Sequence, residues 1–257
     1  MGDGEGGALV SLRLAVVYEA PADFQTATEL ADRALVEAID WMEDQLLDHQ
    51  RTWIREWSGA PLTWKRIKWS AIHAGFNLRG LYDEEPAKPD ARAAHRAVVY
   101  LSYSIPNLAA ILLIRDQDNQ PERREGLEQA RREAKLPLPV VVGLAVVERE
   151  CWVISGFDPG DDHETQKLED EKQNLGFDPC ERSHDLTACK NDRAKRSPKR
   201  VLSVLTGSSG ERQRRCWQEA PLSLLDQRGQ GNGLSEYFKE IKALLVPLIT
   251  GHERKPG

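Results

Sequence analysis

The chain has 257 residues, 40% of them hydrophobic and 30% charged, with a formal net charge of −6, a composition typical of one large globular domain or one domain with an appendage. We expect neither a membrane span nor a signal peptide, because no apolar stretch approaches ~20 residues and the start of the chain is glycine-rich and acidic. The negative charge argues against a protein coated in nucleic acid, and four scattered cysteines favour a reducing cytoplasm over a disulfide framework.

Strands and helices alternate in the first part of the chain. Apolar runs predict strands, and apolar residues spaced three and four apart predict amphipathic helices. The predicted strands are at 12–18, within 63–73, at 108–114 and at 139–147. The predicted helices are at 21 to about 47, 91–103 and 121–135, and a loop is predicted at 82–90. This alternation predicts an α/β fold with a mainly parallel sheet and helices on its faces.

The character of the sequence changes after residue 156. The later segments are an acidic, partly helical stretch (158–172), a strongly basic stretch (190–200), a short apolar element (201–205), a loop (207–210) and an amphipathic closing helix (234–249). We therefore divide the chain into a catalytic core over 8–156 and a mostly helical, basic extension over 157–257 that packs on the core.

An Asp-x-Asp pair follows the most apolar predicted strand. The run from Ile111 to Ile114 is followed by Arg115, and then by Asp116 and Asp118. On an extended backbone, residues two apart point to the same side, roughly 6.5–7 Å from each other. Mg²⁺ takes one or two carboxylates together with water and substrate phosphate. The structural alternative is that aspartates often end strands because they favour turns.

Two other predicted strands are also followed by carboxylates, namely Glu19 after the first strand and Glu148 and Glu150 after the fourth. The carboxyl ends of parallel strands meet at one edge of a sheet, so we expect these acids to converge there. Clustered carboxylates repel one another unless a cation lies among them, and such clusters mark functional sites. The convergence favours a metal site, with Glu148 expected to be solvated.

These features resemble the TOPRIM domain, which occurs in topoisomerases, bacterial primases, ribonuclease M5 and the overcoming-lysogenization-defect nucleases. The resemblance covers about residues 11–156. It rests on Glu19-Ala20-Pro21-Ala22-Asp23, Arg115-Asp116-Gln117-Asp118 and Glu148-Arg149-Glu150-Cys151-Trp152. Two later motifs, Ser197-Pro198-Lys199-Arg200 and Leu234-Ser235-Glu236-Tyr237-Phe238, are similar to small stand-alone TOPRIM proteins found with an ATPase in bacterial defence loci. The resemblance implies a Rossmann-like TOPRIM fold.

The resemblance also implies a site and an activity. The implied metal ligands for Mg²⁺ or Mn²⁺ are Glu19, Asp23, Asp116, Asp118 and Glu150. Glu19 and Lys199 are the implied catalytic residues, with Lys199 neutralising charge on the transition-state phosphate. The implied activity is hydrolysis of DNA or RNA in anti-phage defence, together with an ATPase partner. The chain departs from the family at Ala20, where glycine is frequent, and has a longer region before Asp116. For Asp23, favourable interaction with the helix dipole is the alternative role.

Clustered lysines and arginines can bind a nucleic-acid backbone, because phosphate contacts release counterions. The candidate contacts are Lys190, Arg193, Lys195, Arg196, Lys199 and Arg200. The alternative is a solvated loop, which charge runs usually form. Four tryptophans, at positions 53, 57, 64 and 69, offer rings for base stacking, but we favour packing, because large aromatics dominate cores and interfaces.

Two other functions stay open. Haloacid-dehalogenase-type phosphatases also place Asp-x-Asp after a strand, and Lys199 and Asp161-Asp162 would be the partner residues here. In those enzymes the Asp-x-Asp strand normally comes first and the lysine precedes the acidic pair. This chain reverses both orders, and a phosphatase would leave Glu19 unexplained. Alternatively, the chain is a regulatory subunit with a vestigial acidic edge, whose helical tail docks an ATPase. No Gly-x4-Gly-Lys-Ser/Thr loop is present, so ATP hydrolysis would come from a partner. The expected partners are a nucleic acid, an ATPase and, as an open alternative, further copies of the chain, but no membrane.

Overall fold

The centre of the fold is a four-stranded sheet in which all strands are parallel. The computed structural model describes residues 11–76 and 85–251. The strands of this sheet are β1 (Leu12–Val17), β2 (Arg51–Ile54), β5 (Leu108–Asp116) and β6 (Val140–Ala145), in the order β2-β1-β5-β6. A small antiparallel hairpin is formed by β3 (Glu56–Trp57) and β4 (Ala60–Pro61). The α/β fold with a parallel sheet is as predicted from the alternation of elements.

Helices cover both faces of the sheet. They are α1 (Pro21–Ala38), α2 (Asp44–Gln50), α3 (Trp64–His73), α4 (Ala91–Ser104), α5 (Arg123–Ala134), α6 (Arg149–Ser155), α7 (Asp162–Leu175), α8 (Pro198–Thr206), α9 (Gly210–Gln218), α10 (Leu222–Arg228) and α11 (Leu234–Thr250), with a 3₁₀ turn at Ser183–Asp185. α1 and α11 pack together against the sheet, and α4 and α5 form a second packed pair on it. Every residue of β6 is buried, as expected for a strand covered on both faces.

The first helix is shorter than predicted. We expected it to reach about residue 47, but α1 ends at Ala38 and α2 is a separate helix. The N–H of Ile39 still donates to the carbonyl of Leu35, and the chain then turns so that the N–H of Met42 donates to the carbonyl of Ile39. This turn buries Ile39 and Met42 and leaves Trp41 exposed, an arrangement that a continuous helix does not give.

The prediction of a strand within 63–73 is wrong. This segment is α3, and its N-terminus is capped by the Thr63 side chain, which accepts a hydrogen bond from the Arg66 N–H at 3.4 Å. Trp64, Ile67 and Ala71 are buried at helical spacing. The second strand of the sheet is instead β2, which pairs in parallel with β1.

The remaining elements agree with the predictions, apart from the end of the fourth strand. α4, β5, α5 and α11 lie where the sequence predicts them, within two or three residues at their ends. β6 ends at Ala145, and Glu148 is the N-cap of α6 rather than part of an extended segment. The predicted loop at 82–90 lies partly outside the described residues, and 86–90 carry no helix or strand.

The C-terminal region consists of α7 to α11 joined by turns and by a segment without helix or strand over 186–197, and it completes the core. α11 packs against β6 and α1, and the Tyr237 hydroxyl donates to the Ala27 carbonyl at 3.0 Å. The Tyr237 ring stacks on Trp152, with centroids 5.1 Å apart. The four cysteines are free thiols. Within residues 11–76 and 85–251, no helix has the length and apolar character needed to cross a bilayer.

Candidate active site at the carboxyl ends of the strands

The carboxyl ends of β1, β5 and β6 meet at one edge of the sheet, because the three neighbouring strands are parallel. Glu19 lies two residues beyond β1, and Asp116 is the last residue of β5, opposite Ala145 at the end of β6. Six carboxyl groups gather in this region, which we call the acidic edge. They are Glu19, Asp23, Asp116, Asp118, Glu148 and Glu150.

Asp116 is the most strongly perturbed acid at the acidic edge. Its Oδ1 accepts a hydrogen bond from the backbone N–H of Arg149 at 2.7 Å. Burial, followed by the charges of Asp23, Glu150 and Glu19, raises the pKa of the Asp116 carboxyl to about 8. The fold therefore holds this carboxyl where its negative charge is poorly compensated, and a proton or another cation stabilises it.

Glu19 is paired with an arginine. The Arg115 guanidinium forms an ion pair with Glu19 and a second one, at 2.9 Å, with Asp90. It also lies 5.3 Å from the centroid of the Trp64 ring. Burial raises the pKa of Glu19, although the charge of Arg115 acts in the opposite direction. Glu19 is thus within the acidic edge and partly neutralised there.

The Asp-x-Asp pair is not extended. The ladder between β5 and β6 continues as far as Gln117, whose N–H donates to the Ala145 carbonyl at 2.7 Å. At Asp118 the backbone turns, with φ at +51°, so the two aspartates do not project from one straight strand as expected. The Asp118 carboxylate pairs with Arg123 at 2.8 Å, but remains close enough to raise the pKa of Glu19.

Asp23 caps a helix and also lies among the acids of the acidic edge. It is buried in the first turn of α1, where its carboxylate accepts the Ala20 N–H at 2.8 Å. It also lies 3.5 Å from the Arg149 guanidinium and contributes to the raised pKa of Asp116. Burial is the main cause of the raised pKa of Asp23 itself. Asp23 is therefore both a helix cap and a member of the acidic edge.

Glu148 was expected to be solvated, but the structure buries it. Burial raises its pKa to about 7, although Lys199 lowers it. The Lys199 Nζ lies 4.0 Å from the Glu148 carboxylate and 3.6 Å from Asp192. Glu150 pairs with Arg149 at 3.0 Å. Lys199, although distant in sequence, thus stands at the acidic edge beside the acids that follow β6.

Sequence reasoning overlooked the arginines between these acids. Arg115, Arg123 and Arg149 each bind one or two carboxylates of the acidic edge. Two of them were visible inside the acidic motifs, directly before Asp116 and between Glu148 and Glu150. Asp90 was also overlooked, although it pairs with both Arg115 and Arg123.

The acidic edge has the donor chemistry of a site for a hard cation, but its acids are held apart. Among residues 11–76 and 85–251, no group of three or more His, Cys, Asp or Glu side chains is arranged to hold a metal ion. The six carboxyl groups face four cationic side chains, namely Arg115, Arg123, Arg149 and Lys199. Full ionisation leaves a formal excess of two negative charges, and carboxylate oxygens are the ligands that Mg²⁺ and Mn²⁺ prefer.

The basic stretch contributes to this region mainly through Lys199. Five of its cationic side chains are exposed, namely Lys190, Arg193, Lys195, Arg196 and Lys199. The Arg196 guanidinium lies over the Phe177 ring at 5.7 Å. Arg200 makes a two-pronged ion pair with buried Glu171, with contacts of 2.8 and 2.6 Å, and therefore joins α8 to α7.

Three of the four tryptophans pack, as favoured from the sequence. Trp64 is buried, and its Nε1 donates to the Ile114 carbonyl at 2.7 Å. Trp53 and Trp57 are half-buried beneath the guanidinium groups of Arg51 and Arg13. Trp69 is the exception, because 57% of its surface is exposed.

Comparisons with known proteins do not assign the chain to a family. No family model, no curated protein and no solved structure matches it. The α/β architecture is therefore established by the structure itself, and the functional assignment depends on the residues at the acidic edge.

Proposed function

We propose that the chain is a Mg²⁺- or Mn²⁺-dependent nuclease of TOPRIM type, which hydrolyses phosphodiester bonds at the acidic edge. The observation that carries the proposal is the position of half-buried Asp116 beside Asp23, Glu150 and Glu19, where its pKa is raised to about 8. Burial and, after it, the neighbouring carboxylates leave the negative charge of Asp116 poorly compensated, and a hard divalent cation would compensate it. Strand ends of a parallel sheet are also where such folds bind their ligands.

The candidate metal ligands are Glu19, Asp116 and Glu150, supported by Asp23 and Asp118. A divalent cation held there supplies Lewis acidity and an activated water when bound. Two groups of the chain itself would orient the site and the substrate beside the cation. The Arg149 N–H fixes the orientation of the Asp116 carboxyl through Oδ1, at 2.7 Å. Lys199 lies at the same edge and would stabilise the charge of a substrate phosphate.

Two acids are candidates for proton transfer. Glu19 is the one implied by the TOPRIM resemblance, and burial raises its pKa. Glu148 is the one favoured by its environment, because burial raises its pKa to about 7 and Lys199 lies beside it. A general acid or base works best when its pKa is near the operating pH. We assign the proton-transfer role to this pair, with the pH dependence of cleavage as its readout.

The proposal includes an ATPase partner and a role in anti-phage defence, which the resemblance of the motifs alone supports. The sequence contains no Gly-x4-Gly-Lys-Ser/Thr loop. Any coupling to ATP hydrolysis would thus depend on a second protein. Mixing the purified chain with the product of a neighbouring ATPase gene, and measuring cleavage with and without ATP, tests this part separately.

Cleavage assays with defined substrates test the nuclease activity. Labelled single-stranded DNA, duplex DNA and RNA are incubated with the protein in Mg²⁺, Mn²⁺ or EDTA. We expect cation-dependent cleavage of at least one substrate, reduced at least about a hundredfold in Asp116→Ala and Glu19→Ala. Asp170→Ala is the matched control, because Asp170 is an exposed acid of α7 outside the acidic edge. Cleavage by Asp116→Ala at the wild-type rate would refute the proposal.

A second candidate function is a non-catalytic subunit. The observation that favours it is the set of ion pairs that Arg115, Arg123 and Arg149 make with the acids, since arginines can replace a metal as counter-charges. Calorimetric titration with Mn²⁺ separates the two functions. A nuclease binds the ion, and Asp116→Ala weakens the binding. A non-catalytic subunit shows no heat above titration of Mn²⁺ into buffer and no cleavage of any substrate, whereas Asp170→Ala binds Mn²⁺ like wild type if the chain is a nuclease.

A further inference from the structure

A surface formed by α3 and α4 combines exposed aromatic rings with exposed positive charge. Its members, hereafter the α3–α4 surface, are Lys65, Arg66, Lys68, Trp69, Arg92 and Tyr103. α3 has no acidic residue, and helical spacing puts Trp69 one turn after Lys65. Within residues 11–76 and 85–251, Lys65, Arg66 and Lys68 make no ion pair. These charges are therefore available to an external anion.

The aromatic rings of this surface are held in place while remaining open to solvent. Trp69 is 57% exposed and stacks on His73, with centroids 6.2 Å apart and ring planes at 30°. Tyr103 is 74% exposed and stacks on Phe76 in a similar way, at 6.0 Å and 30°. A flat aromatic ring supported from one side offers its other side to a planar ligand.

A basic cavity is lined by two members of the α3–α4 surface, Lys68 and Arg92. It has a volume of about 460 Å³, and Lys68, Lys88, Arg92 and Arg96 are among the residues that line it. One acidic residue, Asp90, also lines it, but Asp90 is neutralised by Arg115 and Arg123, at 2.9 and 2.8 Å. Lys88 is itself paired with Glu122 and Glu125, so the positive charge of the cavity comes from Lys68, Arg92 and Arg96, as a site for backbone phosphates requires.

The N-terminus of α3 lies close to the acidic edge. α3 begins where the Trp64 N–H donates to the carbonyl of Tyr18, at 3.0 Å, and Tyr18 directly precedes Glu19. The Trp64 side chain donates to the Ile114 carbonyl, close to Asp116 at the end of β5. A chain lying along α3 is thereby led to the acids proposed to cleave it.

A second exposed tryptophan shows what distinguishes this surface. Trp41 is 53% exposed, almost as much as Trp69, in the turn between α1 and α2. Its sequence neighbours Asp40, Glu43 and Asp44 are acidic and would repel a polyanion. Trp41 and Trp69 are therefore similarly exposed, but the charge around Trp41 is negative and the charge around Trp69 is positive.

We propose that the α3–α4 surface binds single-stranded nucleic acid, with a base stacked on Trp69 and phosphates bound by Lys65, Lys68 and Arg92. An unpaired base can lie on an exposed tryptophan, whereas the bases of a duplex are stacked on each other and are not free to do so. This inference rests on the proposed function for its choice of nucleic acid, and it specifies the strandedness of the substrate and where it binds.

Binding of fluorescein-labelled oligonucleotides in EDTA tests the inference without cleavage. We expect Trp69→Ala to weaken binding of a single strand at least about fivefold, as loss of one base stack does, and to leave duplex binding unchanged. Trp69→Phe should restore most of the affinity, because it keeps an aromatic ring. Trp41→Ala is the matched control and should bind like wild type. Replacing both Lys65 and Lys68 by glutamine should reduce the salt slope by about 1.4, since each contact contributes about 0.7.

The outcomes separate this inference from the nuclease proposal. Weakening by Trp69→Ala together with recovery in Trp69→Phe supports the α3–α4 surface even when the wild type cleaves nothing. Wild-type binding by Trp69→Ala, or equal weakening by Trp41→Ala, overturns the inference even when the wild type is an active nuclease. Tighter binding of a duplex than of its single strands also overturns the inference. The inference is overturned as well if Trp69→Ala weakens binding of a protein partner but does not weaken binding of the oligonucleotide.

Discussion

Replacing Asp116 with asparagine is expected to stabilise the metal-free protein, and increasingly so as the pH rises. Asp116 is half-buried beside three other acids, and burial together with their charges raises the pKa of its carboxyl from 3.8 to about 8. Asparagine has nearly the same shape and keeps an oxygen that accepts the Arg149 N–H. The substitution therefore removes the ionisation of this group while retaining its hydrogen bond.

The magnitude follows from the linkage between protonation and folding. Below pH 3.8 the carboxyl is protonated in both folded and unfolded chains, and its ionisation does not affect stability. Between pH 3.8 and about 8 the unfolded chain has lost the proton and the folded chain keeps it, so stability falls by about 1.4 kcal/mol per pH unit. Above pH 8 the loss levels off, at an upper bound of about 6 kcal/mol. Relaxation of the site reduces this bound, and we expect about 2–4 kcal/mol between pH 5 and pH 8.

Urea unfolding in EDTA, followed by tryptophan fluorescence at pH 5, 6.5 and 8, measures the effect. The free energy of unfolding of Asp116→Asn, minus that of wild type, should grow by about 2–4 kcal/mol over this range. Asp40→Asn is the control, because Asp40 is exposed in the turn after α1, and its stability should follow that of wild type. A difference between Asp116→Asn and wild type that stays constant with pH would refute the burial of Asp116 among carboxylates.

Three further substitutions test other parts of the structure. Glu171→Ala leaves Arg200 without its carboxylate between α7 and α8 and should cost about 3 kcal/mol of unfolding free energy, measured in urea at neutral pH. Gly233→Ala should lower the free energy of unfolding by at least about 3 kcal/mol in the same assay, because the φ of Gly233 is +86° and the added Cβ would lie 2.1 Å from the Leu144 carbonyl oxygen. A variant as stable as wild type would contradict this close contact. Arg115→Gln removes a positive charge from the acidic edge and should tighten Mn²⁺ binding about tenfold by calorimetry, equivalent to about 1.4 kcal/mol; unchanged or weaker binding would show that the arginine does not compete with the cation.

The sheet was largely predictable, because its strands are long apolar runs bounded by polar residues. β1, β5 and β6 have this pattern, and their neighbouring helices have strong three-and-four periodicity. α3 was mistaken for a strand, because a short segment with several aromatic residues fits both periods. Its N-cap Thr63 was the available signal for a helix.

The acids of the site were predictable from the strand ends, but their orientations were not. Parallel topology brings Glu19 and Asp116 to one edge whatever the details of the loops. The direction of each side chain beyond a strand depends on single backbone angles, such as the positive φ of Asp118. Glu148 is a second example. Because α6 starts directly after it, Glu148 is buried beside Lys199, whereas the sequence predicted that it faces solvent.

A cluster of acids by itself repels nucleic acid, so a nuclease needs positive charge beside its metal ligands. In this chain Arg115 contacts residues of both the acidic edge and the basic cavity. It binds Glu19 at the acidic edge, Asp90 in the wall of the basic cavity and the face of Trp64 at the start of α3. By neutralising Asp90, it keeps the cavity positive, and by pairing with Glu19 it lowers the repulsion that an approaching phosphate meets. An inert subunit requires no such arrangement, and the adjacency of the acidic edge and the α3–α4 surface therefore favours a nuclease.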